Sequence, residues 1–294
     1  MAYMQELKVG DEKTLERDRD LRVLSLGAGV QSSALVFKLL REEIEPVDIA
    51  MFADTGNEPK EVYEWLKYLK KIMKGRVEFE VVRNSMNTGH IIDDYKAKEG
   101  RYALIPVYIK KSDGKMGFGR RTCTAEYKIR PIQEKVREIL GVKNLRNKYV
   151  EMVMGISFDE IQRVKEPMTK WQVNCYPYIQ EEITRQDIID WTQKEGYPKP
   201  PRSACIICPY HNDVEWKRLK EHYPEEFAYA VEFDEWLRNP NSESAALTNF
   251  KKYDDGSEQY LYRSKIPLRE ATFAEPKDYQ GSLFDDECEG MCGV

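Results

Sequence analysis

The chain has 294 residues, 41% of them hydrophobic and 33% charged, enough for one sizeable α/β domain with an appendage or for two small domains. No apolar run approaches the roughly 20 residues of a membrane span, and the charged residues 1–20 contain no secretory h-region, so a cytoplasmic protein without a membrane partner is expected. A net charge of −5 argues against a nucleic-acid footprint over the whole surface and leaves only a local basic groove for such a partner.

Residues 1–20 read as a polar lead-in. From Val23 to Leu40 a strand, a glycine-bearing turn and a helix follow one another directly. Ser25 lies at the strand end, Gly27 and Gly29 permit a tight turn, and Gln31, Ser32 and Ser33 stand where the helix begins. Free N–H groups and the positive end of the helix dipole there suit an anion, although plain βα packing produces similar turns. Residues 46–53 read as a buried strand ending in Asp54-Thr55-Gly56, residues 59–73 as an amphipathic helix, and residues 79–82 as a third strand. This β-α-β-α opening predicts an α/β fold with a doubly wound, mostly parallel sheet. Ligands in such sheets bind beyond the carboxyl ends of the strands, so the Gly27 turn and Asp54-Thr55-Gly56 are expected to share a pocket.

Residues 84–119 look mostly irregular, with Lys110 and Lys111 read as solvated. Arg120 and Arg121 abut Cys123 and a helix over 126–140; they suit phosphate or sulfate, and cations beside a thiol lower its pKa. Residues 149–154 form a fourth strand candidate, followed by Gly155-Ile-Ser157 and Asp159-Glu160-Ile-Gln-Arg163. Thr184 is placed to cap a helix that turns Ile188, Ile189 and Trp191 inward. A proline-flanked loop then carries Cys205-x-x-Cys208, helices follow over 213–221 and 224–238, and the chain closes with a linker and an acidic tail bearing Cys288 and Cys292. The expected division is a lead-in at 1–20, a nucleotide-binding domain at 21–200, a Cys-x-x-Cys loop with helices at 201–240, and a linker and tail at 241–294.

Six cysteines are too few for a disulfide scaffold in a chain of 294 residues. Cys205 and Cys208 fit three chemistries. Zinc needs two more ligands, for which His211 or Cys123 can serve; a redox disulfide is expected at a helix N-terminus; an iron–sulfur cluster can use Cys123, Cys205 and Cys208 and leave one iron open.

Gly27-Ala-Gly-Val-Gln-Ser-Ser33 resembles the PP-loop S-G-G-x-D-S of the adenine nucleotide α-hydrolase (HUP-type) superfamily, with Gly27 for the first serine and Gln31 for the aspartate. Asp54-Thr-Gly56, Cys123-x4-Lys128-x2-Pro131 and Gly155-Ile-x3-Glu160-x2-Arg163 resemble, in order, segments of the phosphoadenylyl-sulfate (PAPS) reductase-like family. That resemblance implies adenine-nucleotide binding by Ser25, Gly27, Gly29, Gln31, Ser32, Ser33, Asp54, Thr55, Gly56, Arg120, Arg121, Lys128, Gly155, Ser157, Glu160 and Arg163. It also implies a [4Fe-4S] cluster on Cys123, Cys205 and Cys208, with zinc as the alternative. The ligand expected is ATP with Mg²⁺, or a sulfonucleotide.

Two enzymatic readings follow from the resemblance. In one, an ATP-using sulfurtransferase adenylates an acceptor and then thiolates it with sulfur from a donor, the acceptor being in some branches a nucleic acid. In the other, a sulfonucleotide reductase attacks sulfate sulfur through a tail thiol, Cys288 or Cys292, with a thioredoxin-like protein as reductant. A non-catalytic nucleotide-binding protein is the third reading, and it leaves the cysteines without a purpose.

Overall fold

The computed structural model describes residues 3–85, 88–251 and 256–274; Cys288 and Cys292 lie outside them. In chain order the first elements are β1 (Leu7–Gly10), α1 (Glu12–Leu15), β2 (Leu21–Ser25), α2 (Val30–Leu40), β3 (Ile49–Ala53), α3 (Lys60–Met73) and β4 (Glu78–Val82). Next come α4 (Ile91–Lys96), β5 (Tyr108–Lys110), β6 (Met116–Phe118) and a π-helical turn (Ala125–Ile129) that runs into α5 (Arg130–Ile139). Then β7 (Val150–Met154), a 3-10 turn (Phe158–Arg163), β8 (Gln172–Tyr176), α6 (Pro177–Gln180) and α7 (Arg185–Lys194) follow. The described chain ends with α8 (Asp213–His222), α9 (Pro224–Arg238), α10 (Ala245–Lys251), β9 (Glu258–Tyr260) and a 3-10 turn (Leu268–Glu270).

The fold is α/β, with a six-stranded sheet in the order β1-β8-β7-β2-β3-β4, parallel except for β1. Strands β2, β3 and β7 are buried along their whole length because helices cover both faces. Leu24, Phe52 and Val153 face α2, α3 and α7 through Leu35, Leu69 and Ile188, while Val23, Met51 and Met152 face α5 through Ile132 and Val136. Each such side chain contributes about 1.5–3 kcal/mol by leaving water.

The chain builds outward from β2 to β4, then crosses to the other side of β2 for β7 and β8. The strand order therefore reverses between β2 and β7, and the loops leaving their carboxyl ends diverge. This is where an open parallel sheet forms its crevice.

Three segments differ from the sequence expectation. The lead-in contains β1, whose Leu7 pairs with Tyr176. It is fixed there by Arg22, fully buried on β2 and paired with Glu6 and Glu151. Burial alone raises the Glu151 carboxyl pKa, but hydrogen bonds from Lys8 and Tyr149 and the Arg22 charge hold it down at about 2. The stretch read as irregular holds α4 and the β5–β6 hairpin, and the stretch read as a linker holds α10 and β9. Strand β9 pairs with β5, so a three-stranded antiparallel sheet β6-β5-β9 forms from distant parts of the chain. A second core lies beneath it, where Ile105 and Tyr127 meet Trp216, Phe233, Leu247 and Leu261. Among the described residues no helix is long and apolar enough to cross a membrane.

Candidate functional site

A cleft of about 900 Å³ opens at the β2/β7 switch point. Its floor is the turn from Ser25 through Gly27 and Gly29 to Gln31 and Ser32, met from the other side by Met154-Gly155-Ile156. The turn is held in an uncommon shape: Ala28, fully buried, has φ of 61°, a left-handed value that costs a non-glycine residue about 1–3 kcal/mol. Ser32 Oγ accepts the Gly27 N–H at 3.1 Å, and Gly29 takes the N-cap position of α2. Gly155 is required by contact, since a Cβ there would stand 2.8 Å from the Ser32 nitrogen. Two strand ends and a helix N-terminus thus converge on one point, the arrangement that offers N–H groups to an anion.

Gln31 stands at the back of the cleft, where its Nε2 donates to Glu160 Oε2 at 2.8 Å and to Ser157 Oγ at 3.4 Å. Glu160 in turn accepts from Arg163 Nη1 at 2.6 Å, and Arg185 Nη1 lies 3.5 Å from Gln31 Oε1. Arg163 and Arg185 line the cleft, and so do Lys199, Arg202 and Arg218 from the far side of the chain. Arg202 pairs with Glu215 and Arg218 with Glu61, so cations outnumber the lining carboxylates Glu61, Glu64 and Glu215. Trp65 and Tyr68 add an aromatic wall.

Several expected residues stand elsewhere. Ser33 turns into the core, where its Oγ accepts from Trp65 Nε1 at 2.9 Å, so its hydroxyl does not face the cleft. Asp54 is 1% exposed and fully engaged: Oδ1 takes the Gly56 N–H and Tyr63 OH, and Oδ2 takes Nε and Nη2 of Arg83. Its carboxylate shapes the β3 turn rather than the cleft. Gly56 has φ of 71° and packs on His90, which a Cβ would overlap at 2.6 Å. Arg120 is exposed and lines neither cavity. Conversely, Arg185, Lys199, Arg202 and Arg218 were not singled out by sequence. Only the Thr184-Arg185 helix start hinted at one of them.

Thr55, Arg121 and Lys128 line a second, mainly apolar pocket, together with Cys123, Cys205 and Cys208. The three cysteines expected to act together therefore line one pocket, although Cys123 lies far in sequence from the Cys205–Cys208 loop. The Cys205 thiol sits 3.2 Å from Thr55 Oγ1 and 3.5 Å from Glu58 Oε1, while the other Glu58 oxygen is buried without a hydrogen bond. Thr124 Oγ1 on the same wall is also buried and unbonded. His211 is engaged through both nitrogens, by the Cys205 carbonyl at 3.0 Å and Glu215 at 3.2 Å. Cys175 is distant from this group, being fully buried on β8, where burial pushes its thiol up to about 12.

Among the described residues no three His, Cys, Asp or Glu side chains are grouped to hold one metal ion. A cubane cluster spreads its thiolates over separate irons, so its ligands need not converge on a point. Three thiols lining one pocket, with Arg121 and Lys128 to offset thiolate charge, fit such a group in residue type. The two cavities share one loop: residues 198–203 wall the cleft, and Ala204, Cys205 and residues 207–210 wall the cysteine pocket.

The chain has a distant likeness among solved structures. It is similar to a crystal structure of phosphoadenylyl-sulfate (PAPS) reductase from Candida auris in a phosphate complex, with 10% sequence identity and a TM-score of 0.37 over 63% of this chain and 77% of that one. No family model and no curated protein sequence matches the chain.

Proposed function

We propose that this protein is an adenine-nucleotide enzyme of sulfur chemistry, using ATP with Mg²⁺ to activate an acceptor for thiolation. The observation that supports this best is the pairing of a cation-rich anion cradle with a three-cysteine pocket across the single loop 198–210. The cleft volume of about 900 Å³ is of nucleotide size. The phosphates would lie on the Gly27–Ser32 turn, where helix N–H groups and Arg163, Arg185 and Lys199 neutralise them. The adenine would meet Trp65 and Tyr68. An acceptor oxygen then attacks the α-phosphorus, the bond to the β-phosphate oxygen breaks, and pyrophosphate leaves against the arginines. Sulfur from a donor next displaces AMP, which carries the acceptor oxygen away.

Cys123, Cys205 and Cys208 would hold a [4Fe-4S] cluster, which when bound supplies a site for sulfur at its open iron. The chain's own part is to fix the thiols, offset their charge with Arg121 and Lys128, and keep Cys205 beside Thr55 and Glu58.

Gln31 favours a second reading. A carboxamide stands where ATP pyrophosphatases of the superfamily carry the aspartate, and it is held by Glu160. A sulfonucleotide needs no such carboxylate. In that reading a thiol of Cys288 or Cys292 attacks the sulfate sulfur, the adenosine nucleotide leaves, and a thioredoxin-like dithiol releases sulfite.

Anaerobically purified protein, assayed for iron and sulfide and then given ATP or adenylyl-sulfate, tests the proposal. Pyrophosphate release from ATP that survives Cys288→Ser supports the transferase. Sulfite release that is lost in Cys288→Ser supports the reductase. Failure to bind either nucleotide, with the same result for Arg185→Ala, overturns both.

A further inference from the structure

The β6-β5-β9 sheet turns one face inward and one outward. Ile109 packs against the second core, and Gln259, directly across from it, is buried. The register puts Tyr108 opposite Phe118, and Lys110 opposite Met116, on the other face. There Phe118 is 45% exposed and Met116 60% exposed. The Tyr108 and Phe118 ring centroids are 4.9 Å apart, and Phe118 lies 5.7 Å from Tyr210. Tyr210 belongs to the wall of the cysteine pocket. Cations close both ends of this aromatic row, Lys265 at 5.8 Å from the Tyr108 ring and Arg121 at 5.5 Å from Tyr210. Residues 110–121 carry five cations against one aspartate, in a chain whose net charge is −5. Asp113 is paired with Lys115, and Glu258, across from Lys110, is bonded by Tyr260.

We propose that the outer face of this sheet binds single-stranded nucleic acid, bases stacking on Tyr108, Phe118 and Tyr210 while phosphates meet the 110–121 cations. An exposed ring flanked by two half-buried ones, with cations beside them, is a surface on which a splayed-out strand can stack. A polyanion alone would explain the cations but not the rings. A purely apolar partner would explain the rings but not the charge. The inference deepens the transferase reading by naming the acceptor class, and it rests on that reading for the chemistry; binding is measurable apart from it. Tyr210 also belongs to the wall of the cysteine pocket, so a strand held on Phe118 would pass beside that pocket.

The test is fluorescence anisotropy with labelled RNA and DNA single strands of about twelve nucleotides, within the span such surfaces cover. The whole chain is used, with ATP binding measured in parallel. Wild type is expected to bind a single strand more tightly than the matching duplex, and more weakly as salt rises. Phe118→Ala is expected to weaken single-strand binding about tenfold and Phe118→Trp to preserve it, with ATP affinity unchanged in both. Comparison of the RNA and DNA arms identifies the natural acceptor backbone. Single-strand binding that is absent, or unchanged in Phe118→Ala while Lys110→Glu abolishes it, overturns the proposal, since stacking then has no part. So does a Phe118→Ala variant whose only change is a smaller oligomer, because the face would then join copies of this chain. Failure of ATP binding alongside Phe118-dependent strand binding would instead count against the nucleotide cleft and leave this surface standing.

Discussion

Gln31 and Glu160 meet across 2.8 Å, the carboxamide of one donating to the carboxylate of the other, and so tie the start of α2 to the turn that follows β7. The pair is buried, Gln31 being 3% exposed and Glu160 7%. A second carboxylate there would face the first. Gln31→Asp is therefore expected to lower stability at pH 7 by about 1–2 kcal/mol, with Arg163 and Arg185 absorbing the rest of the repulsion. The deficit should shrink as pH falls and one carboxyl takes a proton, and the double variant Gln31→Asp/Glu160→Gln should recover most of it. Thermal denaturation from pH 5 to 8 reads this directly.

Neighbouring serines are expected to behave differently. Ser33→Ala removes the acceptor of the buried Trp65 Nε1 and should cost about 1–3 kcal/mol of stability, because an indole N–H is left unbonded. Its nucleotide affinity should be unchanged. Ser32→Ala frees the Gly27 N–H on the cleft floor and should change nucleotide affinity with little loss of stability. Denaturant titration with parallel nucleotide binding separates the two.

The close approach of Gly155 to the α2 backbone makes it intolerant of a side chain. Gly155→Ala would push a methyl against Ser32 N and Gln31 C, neither of which can swing aside. A loss of about 1–3 kcal/mol is expected, together with weakened nucleotide binding, since the helix start is what must move. Gly29→Ala serves as the contrast, because its nearest neighbour would be 3.9 Å away at Ser203.

Acid should act through Glu151. Its carboxyl is held at about 2 in the folded chain, below the ordinary value of 4.5. The unfolded state therefore binds the proton first, and the stability Glu151 supplies is present above pH 4.5 and is lost as pH falls toward 2. Glu151→Gln should lower neutral-pH stability by about 3 kcal/mol, because Arg22 is fully buried and loses a partner. Its stability curve should be flatter than wild type between those two pH values.

The parallel sheet was legible because its strands are short apolar runs that end at polar turns, and the β2–α2 turn because two glycines bracket it. Strand β1 was not, since Leu7-Lys-Val-Gly10 is half polar and gains its identity only from Tyr176 and Val173 beside it. The same holds for β9, whose three residues are a strand because β5 accepts them. In the cleft, Gly27, Gln31, Gly155 and Arg163 carried a local signal. Arg202 and Arg218 did not, as nothing in a proline-rich loop or an ordinary amphipathic helix says that it folds back over another strand's end. Asp54 is the opposite case: a strand-end aspartate reads as open to a ligand, and in the structure its carboxylate is paired with Arg83.

The pairing of β5 with β9 has a bearing on how the molecule assembles on the ribosome. All the strands of the large sheet exist once Tyr176 has emerged, so the turn from Gly27 to Ser32 can form early. The β5–β6 hairpin, by contrast, waits with one edge open until Glu258–Tyr260 are synthesised, and the core beneath it waits for Leu261 and Leu268. Contacts of such sequence separation form slowly and leave an unpaired strand edge exposed meanwhile. The core against which Cys123 packs is therefore completed only after Leu268 has emerged, and until then that thiol lies beside an unfinished apolar layer.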